Sequence, residues 1–379
     1  MFDCMQSLKK IDFVRNDLLK TIPASIGYLI NLQELSFGFN KLTGTITNSL
    51  GQLSNLQVLS ICANKLTGTI PDSLGNLTKL GYLNFYDNIL NGTIPSSFGK
   101  LVNLKDLYGD HNRLSGTIPS TLGKMTALET IVMHNNILTG PIPSSISELK
   151  SLRILRFRLN SLNGTIPSVL GFLKSLIHME LQGNDFTGSI PSSIGELTNL
   201  VSMVLSVNHL IGSIPPAFGN LSSLVILHVG SNFISGTIPS TIGSLNKLQD
   251  LSLRNNHLTG MIPSELGSLS QLVNLDLRNN SMIGPIPESF KDLTGLTHFF
   301  ANNNWLSGSL PYGLRFNGTF DISSNLFSGR LPSSLFSPDV YLGTFVASQN
   351  CLSTKLPSTI CSATSLISLI LNGIGRNKR

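Results

Sequence analysis

The side chains that could do chemistry are concentrated between residues 82 and 180. Four of them, Asp87, Asp110, His111 and His134, carry carboxylate or imidazole groups, which ligate divalent metals and transfer protons. Their spacing of about 24 residues matches no recognised metal-ligand pattern, and neither a nucleophile nor a pair of carboxylates accompanies them. We therefore expect neither a metal site nor an active site, no cofactor, and a protein that is not an enzyme.

The same region is rich in tyrosine and arginine, the residue types that carry much of the binding energy at protein interfaces. They suit recognition of a peptide, protein or glycan, and nucleic acid is not an expected ligand because the net charge is only +6. The alternative is a solvated surface with incidental charges, since the later Val201, Ser202 and Val204 are plainer. The candidate binding residues are Tyr82, Tyr86, Asp87, Tyr108, Asp110, His111, His134, Arg153, Arg156, Arg158, His178 and Glu180.

These side chains are positioned by a repeat marked by asparagine. An asparagine recurs every 24 residues from Asn16 to Asn304, and steps of 21 and 25 residues continue the series to Asn325 and Asn350. A fixed period of this size predicts a solenoid rather than a compact enzyme core. We expect the asparagine amides to bond backbone groups freed by a turn, as a structural ladder that includes Asn64, Asn88, Asn112, Asn136, Asn160 and Asn184.

The residues around each asparagine alternate as in a short β-strand. Leu83 and Phe85 are predicted to point inward, and Tyr82 and Tyr86 outward. Stacking such strands gives one long parallel sheet, whose outward positions would carry the candidate binding residues. Each repeat then continues through an Ile-Pro step into a segment too short for a long helix, for which we expect a 3₁₀ turn.

The complete pattern, LxxLxLxxNxLxGxIPxxLGxLxx, resembles the plant-type leucine-rich repeat, with clear examples at residues 56–79 and 248–271. It predicts a single domain, residues 1–379, with about 15 repeats from Leu8, irregular repeats at 312–350 and a fragment at 366–379. The resemblance implies a right-handed superhelix with a concave parallel sheet and a short second strand in each repeat. It also implies extracellular recognition, as in receptor-kinase ectodomains, receptor-like proteins and polygalacturonase inhibitors.

The ends of the sequence bear on the type of protein. The chain starts inside a repeat without the paired-cysteine cap usual in such ectodomains, and it shows no signal peptide, membrane span or kinase motif. We therefore expect a receptor-like or secreted ectodomain or fragment, monomeric, that reaches a membrane only through a segment absent from this chain. We expect the basic residues 376–379 to be a solvated tail.

The cysteines and the glycosylation motifs both relate to the compartment. Cys351 and Cys361 lie in one repeat and could form a disulfide in an oxidising compartment, whereas Cys4 and Cys62 are expected to be thiols. Six Asn-x-Ser/Thr motifs modestly favour a secreted protein. The asparagines of these motifs are Asn76, Asn91, Asn163, Asn220, Asn279 and Asn317.

Two other functions remain open. The chain could be a scaffold or an enzyme inhibitor of the polygalacturonase-inhibitor kind. It could also bind ice through a ladder of threonines along one flank, as the resemblance to a plant antifreeze protein of this repeat class allows, although Pro141, Met261 and Pro285 interrupt it. The ladder comprises Thr43, Thr45, Thr67, Thr69, Thr93, Thr117, Thr165 and Thr237.

Overall fold

A computed structural model describes residues 5–375 of the chain. Each regular repeat consists of a first strand, a turn, a short second strand and a 3₁₀ helix. The chain divides into two compact units, Met1–Thr187 and Gly188–Arg379, and the prediction of a single domain stays a prediction. The expected thiol of Cys4 and the expected solvated tail at 376–379 lie outside the described residues.

The first unit contains eight first strands, which form a parallel sheet. The first strands are Lys10–Asp12, Glu34–Ser36, Val58–Ser60, Tyr82–Asn84, Asp106–Tyr108, Thr130–Val132, Ile154–Arg156 and His178–Glu180. The second strands are Leu19–Lys20, Lys41–Leu42, Thr67–Thr69, Ile89–Asn91, Ser115–Thr117, Ile137–Gly140, Ser161–Thr165 and Asp185–Ser189. The 3₁₀ helices are Ala24–Tyr28, Asn48–Gln52, Asp72–Asn76, Ser96–Lys100, Ser120–Lys124, Ser144–Glu148 and Ser168–Phe172.

The second unit is built from the same three elements. Its first strands are Ser202–Val204, Ile226–His228, Asp250–Ser252, Asn274–Asp276, His298–Phe300, Gly318–Asp321, Leu342–Val346 and Ser368–Ile370. The second strands are His209–Ile211, Ser235–Gly236, His257–Leu258, Ile283–Gly284, Trp305–Gly308, Leu326–Gly329 and Cys351–Leu352. The 3₁₀ helices are Ser192–Glu196, Pro216–Asn220, Ser240–Ser244, Ser264–Ser268, Glu288–Asp292, Ser333–Phe336 and Ser358–Ser362.

The pairing of the first strands follows the 24-residue period. Leu59 pairs with Leu83, and Leu83 pairs with Leu107 on the next strand. All three leucines are fully buried, as is Phe85 after the strand, because alternate side chains of a strand point to the same face. The predicted solenoid, with its parallel sheet and short 3₁₀ turns, is therefore confirmed.

The 3₁₀ helices follow directly from the Ile-Pro step of the repeat. Pro95, with a φ of −63°, immediately precedes Ser96–Lys100, because its ring holds the chain in an extended conformation as the helix begins. Neighbouring helices then pack closely through glycine. A Cβ atom added to Gly123 would lie 2.3 Å from the carbonyl oxygen of Ser145 in the next helix, so only glycine fits there.

The repeat that spans 305–324 departs from the regular pattern. Its step is 21 residues, and no 3₁₀ helix lies between the strands Trp305–Gly308 and Gly318–Asp321. Gly318 has a φ of +108°, and the pairing with the next strand shifts register between Gly318 and Thr319. The shorter repeat therefore lacks the 3₁₀ helix, while the strand Gly318–Asp321 still pairs with its neighbours.

Within residues 5–375 no α-helix is present, so none of the helices is long and apolar enough to cross a membrane.

Candidate functional site

Tyrosine side chains cover part of the sheet face of the first unit. The rings of Tyr82 and Tyr108, on adjacent first strands, lie 5.7 Å apart, and the amide of Asn84 donates a 2.9 Å hydrogen bond to the Tyr82 hydroxyl. Tyr86 reaches back across a repeat to meet the ring edge of Phe39, 6.3 Å away. Burial raises the pKa of Tyr82 and of Tyr108, so both hydroxyls stay protonated and can donate to a ligand.

Two arginines lie on the same face as the tyrosines, with Val132 between Tyr108 and Arg156, and share one carboxylate. Arg156 Nε is 2.8 Å from Glu180 Oε1, and Arg158 Nε is 3.5 Å from Glu180 Oε2. Each side chain is about one-third exposed, so the carboxylate positions both guanidinium groups while leaving part of each accessible. A guanidinium held in this way can bond an anionic or carbonyl group of a ligand with little loss of entropy.

The other two candidate residues in this part of the sheet are His178 and Arg153. His178, on the strand next to Arg156, is partly exposed, and burial, followed by the charge of Arg156, lowers its pKa. Its imidazole is therefore neutral at neutral pH. Arg153 precedes the strand Ile154–Arg156 and is exposed to solvent, so the structure does not place it among the half-buried side chains.

Asp110, His111 and His134 come together in the turns that follow two first strands. His111 Nδ1 is 2.9 Å and His134 Nε2 is 3.7 Å from the same oxygen, Oδ2 of Asp110. The two imidazole rings meet edge to face at 4.9 Å. Asp110 and His134 are buried and His111 is exposed. Burial is the largest of the effects that lower the pKa of His134, and the charge of Arg158 acts in the same direction.

Four of the candidate carboxylates and imidazoles lie beyond the first strands and not within them. Asp87, Asp110, His111 and His134 were expected within strands, but the strands end at Asn84, Tyr108 and Val132. Asp87 and His111 have positive φ values, 53° and 52°, which end the extended conformation. Asp87 is exposed and does not join the other three.

A second charged cluster, which the sequence-based candidates do not include, lies on the sheet of the second unit. Asp276 is almost fully buried, 3.0 Å from Arg278 and 4.0 Å from Arg254. Arg278 also lies 5.0 Å over the ring of Phe300. Burial raises the pKa of Asp276 in spite of these arginines. The signal available in the sequence was the recurrence of charge at outward positions, 24 residues apart.

The repeated asparagines belong to the scaffold beneath this face. Asn88 donates to the carbonyl oxygens of Ile61, Phe85 and Tyr86 at 3.1–3.3 Å, and its own Oδ1 accepts from the Leu66 amide at 3.0 Å. Each amide thus ties its own turn to the preceding repeat. Equivalent bonds are made by Asn64, Asn112, Asn136, Asn160 and Asn184.

Two of the cysteine predictions concern described residues. Cys62 is a buried thiol, as expected, and the disulfide considered for Cys351 and Cys361 stays a prediction. Cys351 lies on a second strand and Cys361 lies in the 3₁₀ helix Ser358–Ser362, after the chain has turned at Pro357. The two residues are therefore in different elements of the repeat, on either side of a bend.

The asparagines of all six Asn-x-Ser/Thr motifs are exposed. Asn91 and Asn163 lie on second strands, and Asn76 and Asn220 end 3₁₀ helices. Two others are engaged by neighbours. Asn279 donates its amide to Asn255 and accepts from Asn303 at 2.7 Å, and Asn317 accepts from the Tyr341 amide at 2.9 Å.

The threonine ladder has a packing role in the structure. The methyl group of Thr69 is 2.7 Å from the position that a Cβ atom would take on Gly92, whose φ is +73°, and Thr93 and Thr117 meet Gly116 and Gly140 in the same way. Threonine therefore fills the space beside a glycine of the next repeat. This contact explains the recurring Thr-Gly-Thr by packing between repeats.

Family models for leucine-rich repeats match most of the chain. A leucine-rich repeat region model matches residues 142–277, and a leucine-rich repeat model matches residues 54–114. A third model, for the single leucine-rich repeat, matches residues 31–53, 127–149 and 271–293. A search of curated proteins finds no match.

Solved structures of plant receptor ectodomains resemble the chain closely. The plant peptide hormone receptor RGFR1, in complex with RGF2, is 34% identical with a TM-score of 0.91, covering 97% of this chain and 59% of the receptor. The ectodomain of the receptor kinase GASSHO1/SCHENGEN3 from Arabidopsis thaliana, in complex with CASPARIAN STRIP INTEGRITY FACTOR 2, is 32% identical with a TM-score of 0.82. That match covers 97% of this chain and 47% of the ectodomain.

A third example is the ectodomain of the Arabidopsis receptor kinase HAESA in complex with an N-terminally extended IDA peptide hormone. It is 32% identical with a TM-score of 0.78, covering 98% of this chain and 67% of that one. This chain thus spans about half to two-thirds of the length of these three proteins, and their fold is that of non-catalytic ligand-binding domains.

Proposed function

The chain belongs to the leucine-rich-repeat family, and from that premise we propose that it is a recognition module that binds a peptide or protein segment. The binding surface in this proposal is the outward face, defined as the outward side chains of residues 82–182 on the first strands and the turns after them. No reaction is part of the proposal. The structurally similar proteins support a peptide ligand, because RGFR1 and HAESA are described in complexes with peptide hormones.

The observation that carries the proposal is the tyrosine pair on the same sheet face as two arginines that share a carboxylate. Tyr82 and Tyr108 offer rigid rings with polar tips, and Arg156 and Arg158 offer donors positioned by Glu180. The sheet beneath them is tied by asparagine bonds from repeat to repeat, so little ordering accompanies binding. An extended peptide that crosses successive strands, spaced roughly 4.8 Å apart, would meet Tyr82, Tyr108 and Arg156, with Val132 between the last two.

A selection of random peptides displayed on phage tests this function. We expect peptides enriched on the purified chain to bind the double variant Tyr86→Ala/Arg156→Ala at least tenfold more weakly, because aromatic and arginine anchors dominate such interfaces. The matched control is Tyr312→Ala/Lys355→Ala, which removes an exposed aromatic and an exposed cation from the second unit and should leave binding unchanged. Thermal melting verifies that both variants are folded.

Equal binding of the selected peptides to wild type and to Tyr86→Ala/Arg156→Ala would contradict the proposal. Loss of binding in the control variant alone would contradict it as well, since the ligand would then be held by the second unit.

We further propose that the chain works outside the cell or at its surface. Exposed Asn91 and Asn163 on second strands support this, as do the plant receptor ectodomains that the chain resembles. We expect mass spectrometry of protein from its native tissue to find glycans on Asn91 and Asn163. Occupancy should be lower on Asn279, whose amide nitrogen already donates to Asn255. Unmodified Asn91 and Asn163 in native protein would contradict an extracellular location.

A further inference from the structure

We propose that Asp110, His111 and His134 form a binding site for a divalent transition-metal ion of the zinc type. The inference does not rest on the proposed recognition function, because it concerns an ion, although the contact of Arg158 with Glu180 enters both proposals. One ligand atom from each residue lies within 4.8 Å of the other two. The proposal departs from the sequence-based expectation of no metal, which was based on spacing along the chain and not on distances in space.

The distances are close to those of a coordinated ion. Zinc bonds imidazole nitrogen and carboxylate oxygen at about 2.0–2.2 Å in a tetrahedral arrangement, so its ligand atoms lie roughly 3.3–3.5 Å from one another. Oδ2 of Asp110 is 2.9 Å from His111 Nδ1 and 3.7 Å from His134 Nε2, values on either side of that separation. Side-chain movements of about 1 Å would bring the three atoms around one ion.

The lone pair of His134 already faces the cluster. Arg158 Nη2 lies 3.4 Å from His134 Nε2, and a guanidinium can only donate hydrogen bonds. Nε2 is therefore the acceptor nitrogen, and the proton of the neutral ring is on Nδ1. Nδ1 is buried and has no hydrogen-bond partner among the described residues, so its proton has no acceptor there. This is the tautomer that a metal at Nε2 requires.

His111 can ligate a metal ion once the side-chain amide of Asn135 rotates. Its Nε2 is 2.7 Å from the side-chain amide of Asn135, and its Nδ1 faces Asp110. When a metal takes Nδ1, Nε2 carries the proton and must donate it. A half-turn of the Asn135 amide then presents Oδ1 to that proton in place of the NH₂ group. Asn135 would thus act as a positioning residue of the kind that commonly orients metal-bound histidine.

Arg158 occupies the place of a competing cation. It is near His134, and it also has an anionic partner, Glu180, whose Oε2 is 3.5 Å from its Nε. An incoming ion would displace the guanidinium towards Glu180. Removing Arg158 should consequently tighten metal binding, the opposite of what is expected if Arg158 only supports the local structure.

The donor set selects the class of metal. Two imidazoles with one carboxylate suit zinc, copper or nickel, whereas calcium and magnesium prefer oxygen ligands alone. Three protein ligands leave a fourth position for solvent or for a donor atom of a bound molecule. His111 is exposed, so that position opens towards the solvent.

Calorimetric titration of the purified chain with zinc chloride tests the site. The expected result is a saturable 1:1 isotherm that weakens at least tenfold in Asp110→Asn and in His111→Ala, and that tightens at least threefold in Arg158→Ala. His111→Ala alters an exposed side chain, so folding of this variant is not at risk. The matched control is His228→Ala, which removes another His–Asp pair, His228 Nε2 with Asp250 Oδ2 at 2.9 Å, where no second histidine of residues 5–375 completes a group of three.

Zinc titrations of the variants also give the contrary outcomes. Absence of saturable 1:1 binding to the wild-type chain would overturn the proposal. So would binding that is undiminished in both Asp110→Asn and His111→Ala, or binding that is lost in His228→Ala while His111→Ala retains it. Magnesium chloride in place of zinc chloride should give no saturable heat, and equal affinity for magnesium would overturn the assignment of the metal class.

Discussion

Replacing Phe320 by alanine is expected to lower the free energy of unfolding of the second unit by about 3–5 kcal/mol, the range observed when truncation of a buried phenyl ring leaves a cavity. Phe320 is fully buried, and its ring stacks against Phe316 at 4.5 Å and against Phe299 and Phe345 at 5.4 Å. It lies in the repeat whose 3₁₀ helix is missing, and it stacks on Phe316, which lies in the segment that connects the two strands in place of the helix.

Chemical denaturation, together with amide hydrogen exchange of the strands Gly318–Asp321 and Leu342–Val346, measures this effect. In a repeat protein the loss should be greatest in the altered repeat and its neighbours. Phe320→Leu keeps most of the volume and should cost less than about 1.5 kcal/mol. The surface control is Phe233→Ala, which removes a ring that is 49% exposed. A loss in Phe320→Ala no greater than that of Phe233→Ala would contradict the packing argument.

Replacing Asn136 by alanine is expected to lower the free energy of unfolding by about 2–4 kcal/mol, mostly because one buried N–H group loses its hydrogen-bond acceptor. The Leu114 amide donates to Asn136 Oδ1 at 2.9 Å and loses this acceptor. The carbonyl oxygens of Gly109 and Met133 also lose a donor, but each keeps a second one, from Asn112 and Asn160 respectively. Because these carbonyl oxygens keep a hydrogen bond from a neighbouring repeat, the loss of unfolding free energy stays below the sum of all the broken bonds.

Asn16 supplies the matched control for this prediction. It occupies the same repeat position, but it is exposed and donates only to the Val14 carbonyl, at 3.2 Å. Asn16→Ala should change the free energy of unfolding by less than about 0.5 kcal/mol, because solvent replaces that bond. Denaturation by guanidinium compares the two variants. If Asn136→Ala were as stable as Asn16→Ala, the asparagines could not be ties between repeats.

The period made the fold predictable. An asparagine every 24 residues sets which leucines face inward, so the sheet and the buried Leu83 and Phe85 follow from alternation alone. The position of the 3₁₀ helices follows from the proline before each of them. These features are local, and each repeat supplies the same evidence again.

Contacts that depend on the path of the turn could not be predicted in this way. The positive φ at Asp87 and His111 places both residues in turns beyond the strands, yet only His111 joins Asp110 and His134. Nothing in the residue types distinguishes these outcomes, because asparagine, aspartate and histidine all tolerate that conformation. The reach of Tyr86 to Phe39, across an intervening repeat, is likewise a contact that alternation along one strand does not predict.

Amide hydrogen exchange with a phage-selected peptide tests whether the outward face of the first unit receives a peptide. Exchange of the purified chain is followed by mass spectrometry with and without saturating peptide. We expect slower exchange in segments that contain the first strands Tyr82–Asn84 to His178–Glu180. Protection confined to second strands, to 3₁₀ helices or to the second unit would contradict it.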